Sequence, residues 1–172
     1  MKFIYLSLFL FISAATINGQ SSKSDTTQMP ITVRREATKM AQFLVQRDAN
    51  ALINFHPPKM IQGVGGPQKF IEALEKLWHD EDAQGLKLLA DSIGDLSKII
   101  YYKKVYQCTV YQTMTLSHNA NKRIIIEYPI IAISYDGEKW YFIDTKGDWD
   151  NINNIYRKFP ELSTELSFPE KQ

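Results

Sequence analysis

Two hydrophobic periods divide this chain, and the order in which they come restricts the fold more than any other feature of the sequence. In the first half, Ala37, Met40, Ala41, Leu44, Val45, Leu52 and Phe55 recur at helical spacing along one stripe. Phe70, Ile71, Leu74, Leu77 and Trp78 make a second stripe of the same kind. From Val105 onward the period is two. Tyr106, Cys108, Val110, Met114 and Leu116 fall on one face, and Gln107, Thr109, Tyr111, Thr113 and Thr115 on the other. A helical stripe must bury itself against something, and a meander with one apolar face offers that surface. The order predicts an α+β domain with N-terminal helices packed on one face of an antiparallel sheet.

The punctuation agrees. The first helix is expected to open near Thr32, just past Pro30. Asp48, on the apolar stripe, marks a kink or a capped re-start, and His56-Pro57-Pro58 ends the run. Gly63-Val64-Gly65-Gly66 is a loop, Pro67 suits the first turn of the next helix, and Gly85 stops it. Leu86 to Ile93 reads as a first strand. Ile124 to Tyr135 is apolar on both faces, as a central strand is, so Pro129 within it requires a bulge or an edge position. Asp136-Gly137 is a hairpin turn, with Trp140-Tyr141-Phe142-Ile143 the return strand. Asp148 is placed to cap a last short helix carrying Ile152, Ile155 and Phe159, which Pro160 ends. A bulged, twisted sheet curls, and a sheet curled over two helices encloses a cone-like cavity.

The N-terminus carries a different message. Met1 and Lys2 precede the uncharged run Phe3 to Ala15, followed by Thr16-Ile17-Asn18-Gly19-Gln20. That order is a secretory signal peptide, too soon polar for a membrane-spanning helix. Cleavage after Gly19 or near Ala15 releases a protein to a bacterial periplasm or beyond, with no stable membrane anchor; an uncleaved anchor is the alternative. With 20 Lys and Arg against 19 Asp and Glu, and Lys2 the only charge in the first twenty residues, the remainder is neutral. A neutral chain lacks the basic face that phosphate neutralisation demands, so nucleic acid is not an expected partner. The single cysteine, Cys108, excludes an intramolecular disulfide.

Three segments together resemble a known family. They are Arg47-Asp48-Ala49-Asn50-Ala51-Leu52 in the opening helix, Gly65-Gly66-Pro67-Gln68-Lys69-Phe70-Ile71 at the start of the next, and the hairpin from Ser134 to Asp144. In this order they are similar to the nuclear transport factor 2-like superfamily, the cone-shaped fold shared with ketosteroid isomerase and scytalone dehydratase. The hairpin with Phe159-Pro160-Glu161-Leu162 further resembles an uncharacterised secreted bacterial branch. The chain is expected to divide into a signal peptide over 1–19, a polar, flexible lead-in over 20–31, one domain over 32–160 that the resemblance implies is of this kind, and a tail over 161–172. The superfamily includes enzymes, ligand binders and interaction domains, so fold alone does not settle function.

Chemistry has few anchors. His56, His79 and His118 are never paired at helical spacing, and His79-Asp80-Glu81-Asp82 reads as a solvated helix end, so no metal is expected. Cys108, on the apolar strand face, reads as a buried inert thiol. There is no Gly-x-Ser-x-Gly elbow, and the Gly63–Gly66 loop lacks the Lys-Ser/Thr of a phosphate loop. Acid–base chemistry in a cavity remains, with Glu127, Asp91, Tyr128 and His79 as candidate catalytic residues. Glu127 interrupts a run of isoleucines, either at a solvated sheet edge or in a cavity with a raised pKa. Gln112, the odd polar residue beside Cys108, Val110 and Met114, must find a partner, Tyr128 or a ligand. Gln112, Tyr128, Trp78 and Tyr111 are the candidate ligand-binding residues. The expectation is a secreted, non-catalytic, cofactor-free domain that holds a small apolar ligand or a protein partner, alone or as a homodimer. Its alternative is an isomerase or dehydratase of a small organic molecule.

Overall fold

The computed structural model describes residues 27–119, 122–145 and 152–168. The segment expected as a signal peptide, most of the expected lead-in and the expected cap Asp148 lie outside them. Four helices come first: α1 (Met29–Gln46), α2 (Ala49–Leu52), continued by a 3-10 turn over Ile53–Phe55, α3 (Pro58–Gly63) and α4 (Pro67–Ala83). Five strands follow, β1 (Leu86–Leu96), β2 (Ile100–Tyr102), β3 (Val105–His118), β4 (Lys122–Ser134) and β5 (Tyr141–Ile143), then helix α5 (Ile152–Lys158). The molecule is α+β, with N-terminal helices followed by a curled antiparallel sheet and a short C-terminal helix.

Helix α1 opens at Met29, ahead of Thr32, because Pro30 falls in the first turn, where its missing N–H is no loss. It ends where Arg47 turns left-handed at φ 56°. Asp48 then restarts the chain as the cap of α2, its carboxylate accepting the Ala51 N–H at 2.9 Å. Arg47 is held there by a two-pronged ion pair to Asp82 near the end of α4, at 2.6 and 2.8 Å. After His56, Pro57 and Pro58 do not merely stop the helix. Pro58 starts α3, whose Met60 and Ile61 N–H groups bond the Pro57 carbonyl.

The sheet runs β1-β3-β4-β5, with β2 paired to the start of β3. Pro129 lies at an edge and not at a bulge. Its pairing with Tyr111 is in unbroken register with the rest of β3–β4. Strand β5 pairs only with Ile131–Ile133. The Pro129 carbonyl accepts the buried Thr145 hydroxyl instead.

One sheet face carries Cys108, Val110, Met114, Leu116, Tyr128, Ile130, Ala132 and Phe142. It packs on Val33, Ala37 and Met40 of α1, on Leu52 and Phe55, and on Trp78 of α4. Each large side chain buried there stabilises by about 1.5–3 kcal/mol. Among the described residues the opposite face is covered only at one end, where Ile131, Ile133 and Ile143 meet Ile155, Phe159, Leu162 and Leu166. The segment expected as a tail is therefore part of the fold through Leu166. Double coverage explains why Ile130 to Ile133 are all buried, whereas Ile125, on the uncovered part, is 66% exposed.

Candidate functional site

A bulge in β1 builds the polar centre of the inner sheet face. Leu88 faces Leu116, but Ala90 faces Thr115 and Asp91 faces Met114. One residue is thus inserted on β1, and every side chain after it moves to the other face. Without it Asp91 would stand opposite Thr113 on the outer face. With it, Asp91 joins Gln112 and Tyr128, which face each other across β3 and β4. Gln112 Nε2 donates to Asp91 Oδ2 at 2.6 Å, while the buried Oδ1 has no hydrogen-bond partner. Burial pushes the Asp91 carboxyl up to about 6, against the Gln112 bond and the Ser92 backbone N–H, with the Asp144 charge adding to the rise. The Tyr128 hydroxyl donates to the Met114 sulfur at 3.1 Å. Its pKa is raised, first by burial and then by the nearby Asp144 and Asp91 charges.

Between this face and the helices lies a cavity of about 120 Å³. Met40, Leu44, Leu52, Leu74, Leu77, Trp78, Ile130 and Phe142 make it apolar; Gln112, Tyr128, His56 and Asp144 are its polar wall. A groove of about 470 Å³ adjoins it, sharing Leu44, Leu77, Trp78, Tyr128 and Asp144 and adding Arg47 and Glu81 at the rim. Leu77 is 52% exposed, which places the opening beside the outer turn of α4. His56 is held by Nδ1, which donates to the Leu52 carbonyl at 2.9 Å, and by the Phe70 ring, 4.8 Å between centroids. A carbonyl only accepts, so Nδ1 carries the proton and Nε2 is the ring's acceptor. Burial lowers the His56 pKa against the pull of the Leu52 carbonyl and the Asp144 charge. The arrangement offers a ligand an apolar surface, an amide, a neutral imidazole and a carboxylate.

The structure brings together Asp91, Gln112, Tyr128 and Trp78 of the residues singled out by sequence. Three stand elsewhere. Glu127 is exposed on the outer sheet face, in register with Thr113. His79 follows the buried Trp78 and turns away to solvent, as adjacent helical positions do. Tyr111 faces Pro129 on the outer side. Gln112 finds its partner in Asp91 and not in Tyr128. Cys108 is fully buried, its thiol pushed up to about 12 by that burial. His56 and Asp144 were not visible as cavity residues in the sequence. The only signal for His56 was the following Pro-Pro, which forces its extended backbone. Asp144 follows a strand end with no local signature. Among the described residues no three His, Cys, Asp or Glu side chains gather as a metal site, and no helix is long and apolar enough to cross a membrane.

No family model matches this chain, and no curated protein matches it. Among solved structures it is similar to the intermembrane space region of the chloroplast protein ARC6, at 15% identity. The match covers 64% of this chain and 92% of that one with a TM-score of 0.27, a level of agreement too low to support a functional or fold argument.

Proposed function

We propose that this chain is a secreted binding domain of the nuclear transport factor 2-like kind, which holds a small, largely apolar ligand between α1, α4 and the inner sheet face. The observation that carries this reading is the apolar cavity with one wall of converging polar groups, the usual form of a small-molecule site. Helices before a curled sheet agree with the family, and the leader sequence supports export. A ligand with one polar end fits best, its hydrophobic body against Leu74, Leu77 and Trp78 and its polar end at Gln112, His56 and Asp144.

The test is native mass spectrometry of the protein purified from its own host, against the denatured mass. A reproducible extra mass that is lost on denaturation supports the reading. Loss of that mass in Leu74→Trp, which fills the cavity, locates it. A bare protein in repeated preparations counts against it, and a mature N-terminus other than the region of Ala15 to Gln20 counts against export.

A second reading is an acid–base isomerase or dehydratase. It is favoured by one observation, a carboxyl with a pKa of about 6 beside Tyr128. The first reading is preferred because Asp91, bonded to Gln112, is not among the residues that line the cavity or the groove, and the Tyr128 proton is engaged by Met114. Turnover of a retained ligand, abolished in Asp91→Asn with the ligand still bound, would reverse that preference.

A further inference from the structure

Among the described residues, the edge of strand β4 beyond its pairing with β5 has no partner strand. Strand β5 covers only Ile131–Ile133, and among the described residues no strand pairs with Lys122 to Ile130 on that side. Pro129 sets the direction of the backbone groups. It has no N–H for β3, and its carbonyl accepts from Thr145 on the β5 side. Residues two apart point the same way, so the N–H and C=O of Arg123, Ile125 and Glu127 face the open edge. Their side chains share the outer face, where Ile125 is 66% exposed and Arg123 and Glu127 are exposed too.

We propose that this edge pairs with the same edge of a second copy, antiparallel about Ile125, to form a closed two-fold dimer. About that centre the segment is its own complement. Ile125 meets Ile125 of the second copy, in a pair that exchanges both backbone hydrogen bonds. Arg123 meets Glu127 of the second copy, and Glu127 meets Arg123. Ile124 and Ile126 pair on the inner face. Cross-strand pairs of these kinds stabilise a sheet, and like charges placed opposite destabilise it. Pro129, with no N–H to give at the edge, ends the added ladder. The other sheet edge does not compete. Strand β1 carries two bulges, and Arg34 donates to the edge carbonyls of Gly94 at 2.7 Å and Ile93 at 3.5 Å. An isologous β4 contact therefore closes as a dimer, where a β4-to-β1 contact would run on as a filament.

The test is sedimentation of the full chain as its host releases it, up to roughly 100 µM, with circular dichroism to show that each variant is folded. A dimer is expected. Arg123→Glu sets two carboxylates against each other on both sides of the axis and raises the dissociation constant about tenfold or more. Adding Glu127→Arg to it restores the charge pairs and returns the constant to within about threefold of the original. Ile125→Lys, at an exposed position, gives a folded monomer. A monomer at all concentrations, a ladder of larger species, or a dimer indifferent to Arg123→Glu and Ile125→Lys overturns the proposal.

Discussion

At the scale of single residues, Asp91 makes stability depend on pH through its placement on the inner face. Its folded pKa, about 6, lies above its unfolded value, because burial disfavours the charge more than the Gln112 bond favours it. Between the two values the folded state holds the proton more tightly than the unfolded one. Asp91 therefore contributes stability below the unfolded pKa and loses it as pH rises through about 6. Asp91→Asn keeps an acceptor for Gln112 and removes the charge. The variant is expected to be about 1–2 kcal/mol more stable than the parent at neutral pH, after allowance for partial solvent screening, with the gain vanishing near pH 4. Urea unfolding at both pH values measures it; a gain that does not depend on pH rejects the assignment. Gln112→Leu does the reverse. It leaves a buried carboxylate without its side-chain donor and is expected to cost about 2–3 kcal/mol at neutral pH, and much less when combined with Asp91→Asn. The identity of Gln112 as a residue needing a partner was legible in the sequence. The partner was not, because a β1 bulge decides which face Asp91 occupies.

At the scale of elements, the chain depends on side-chain caps where the backbone breaks off. Asp48 separates α1 from α2 by taking one orphan N–H, and Asp48→Ala is expected to cost about 1 kcal/mol in thermal unfolding. The β4–β5 turn is denser. Asp136 Oδ1 accepts from the Glu138 N–H, the Lys139 N–H and the Ser134 hydroxyl, at 2.8, 2.8 and 3.0 Å. Burial works against the carboxylate, but these donors hold the Asp136 pKa below its ordinary value. Its contribution is then present at neutral pH and lost as pH falls through that lowered value. Asp136→Ala is expected to cost about 1–2 kcal/mol at pH 7 and progressively less in acid. Equal losses at pH 7 and in strong acid would contradict that. Most elements could be read in advance because these devices are local: a stripe, a cap, an Asp-Gly pair. Strand β2 and helix α3 could not. Each is short, and each exists because of what surrounds it: β2 pairs with the start of β3, and α3 is nucleated by consecutive prolines.

At the scale of the whole molecule, the segment after α5 works as a clasp. Gln107, fully buried on β3, receives the Ser163 N–H at 2.8 Å and donates to the Glu161 carbonyl at 3.2 Å. Thr109 donates to the Ser167 carbonyl at 2.6 Å. Leu162 and Leu166 then cover the outer isoleucines. Leu162→Ala is expected to cost about 2–4 kcal/mol, and removal of everything after Pro160 to abolish cooperative unfolding. A truncated chain with an unchanged melting curve would show that the clasp is dispensable.

The sequence by itself determined the class of the fold. Hydrophobic period is a property of neighbours along the chain, and it decided that helices come first, that the sheet is antiparallel and where Cys108 is buried. Only the tertiary structure decided which groups meet in the cavity. Asp91 reached the inner face by one inserted residue, and Glu127 and Tyr111 fell on the outer face by strand parity. His56 and Asp144 arrived from segments that no periodicity connects. The reason is physical. Burial along an element repeats with the backbone's own geometry, whereas a site depends on register between elements, and a single residue of slip inverts it.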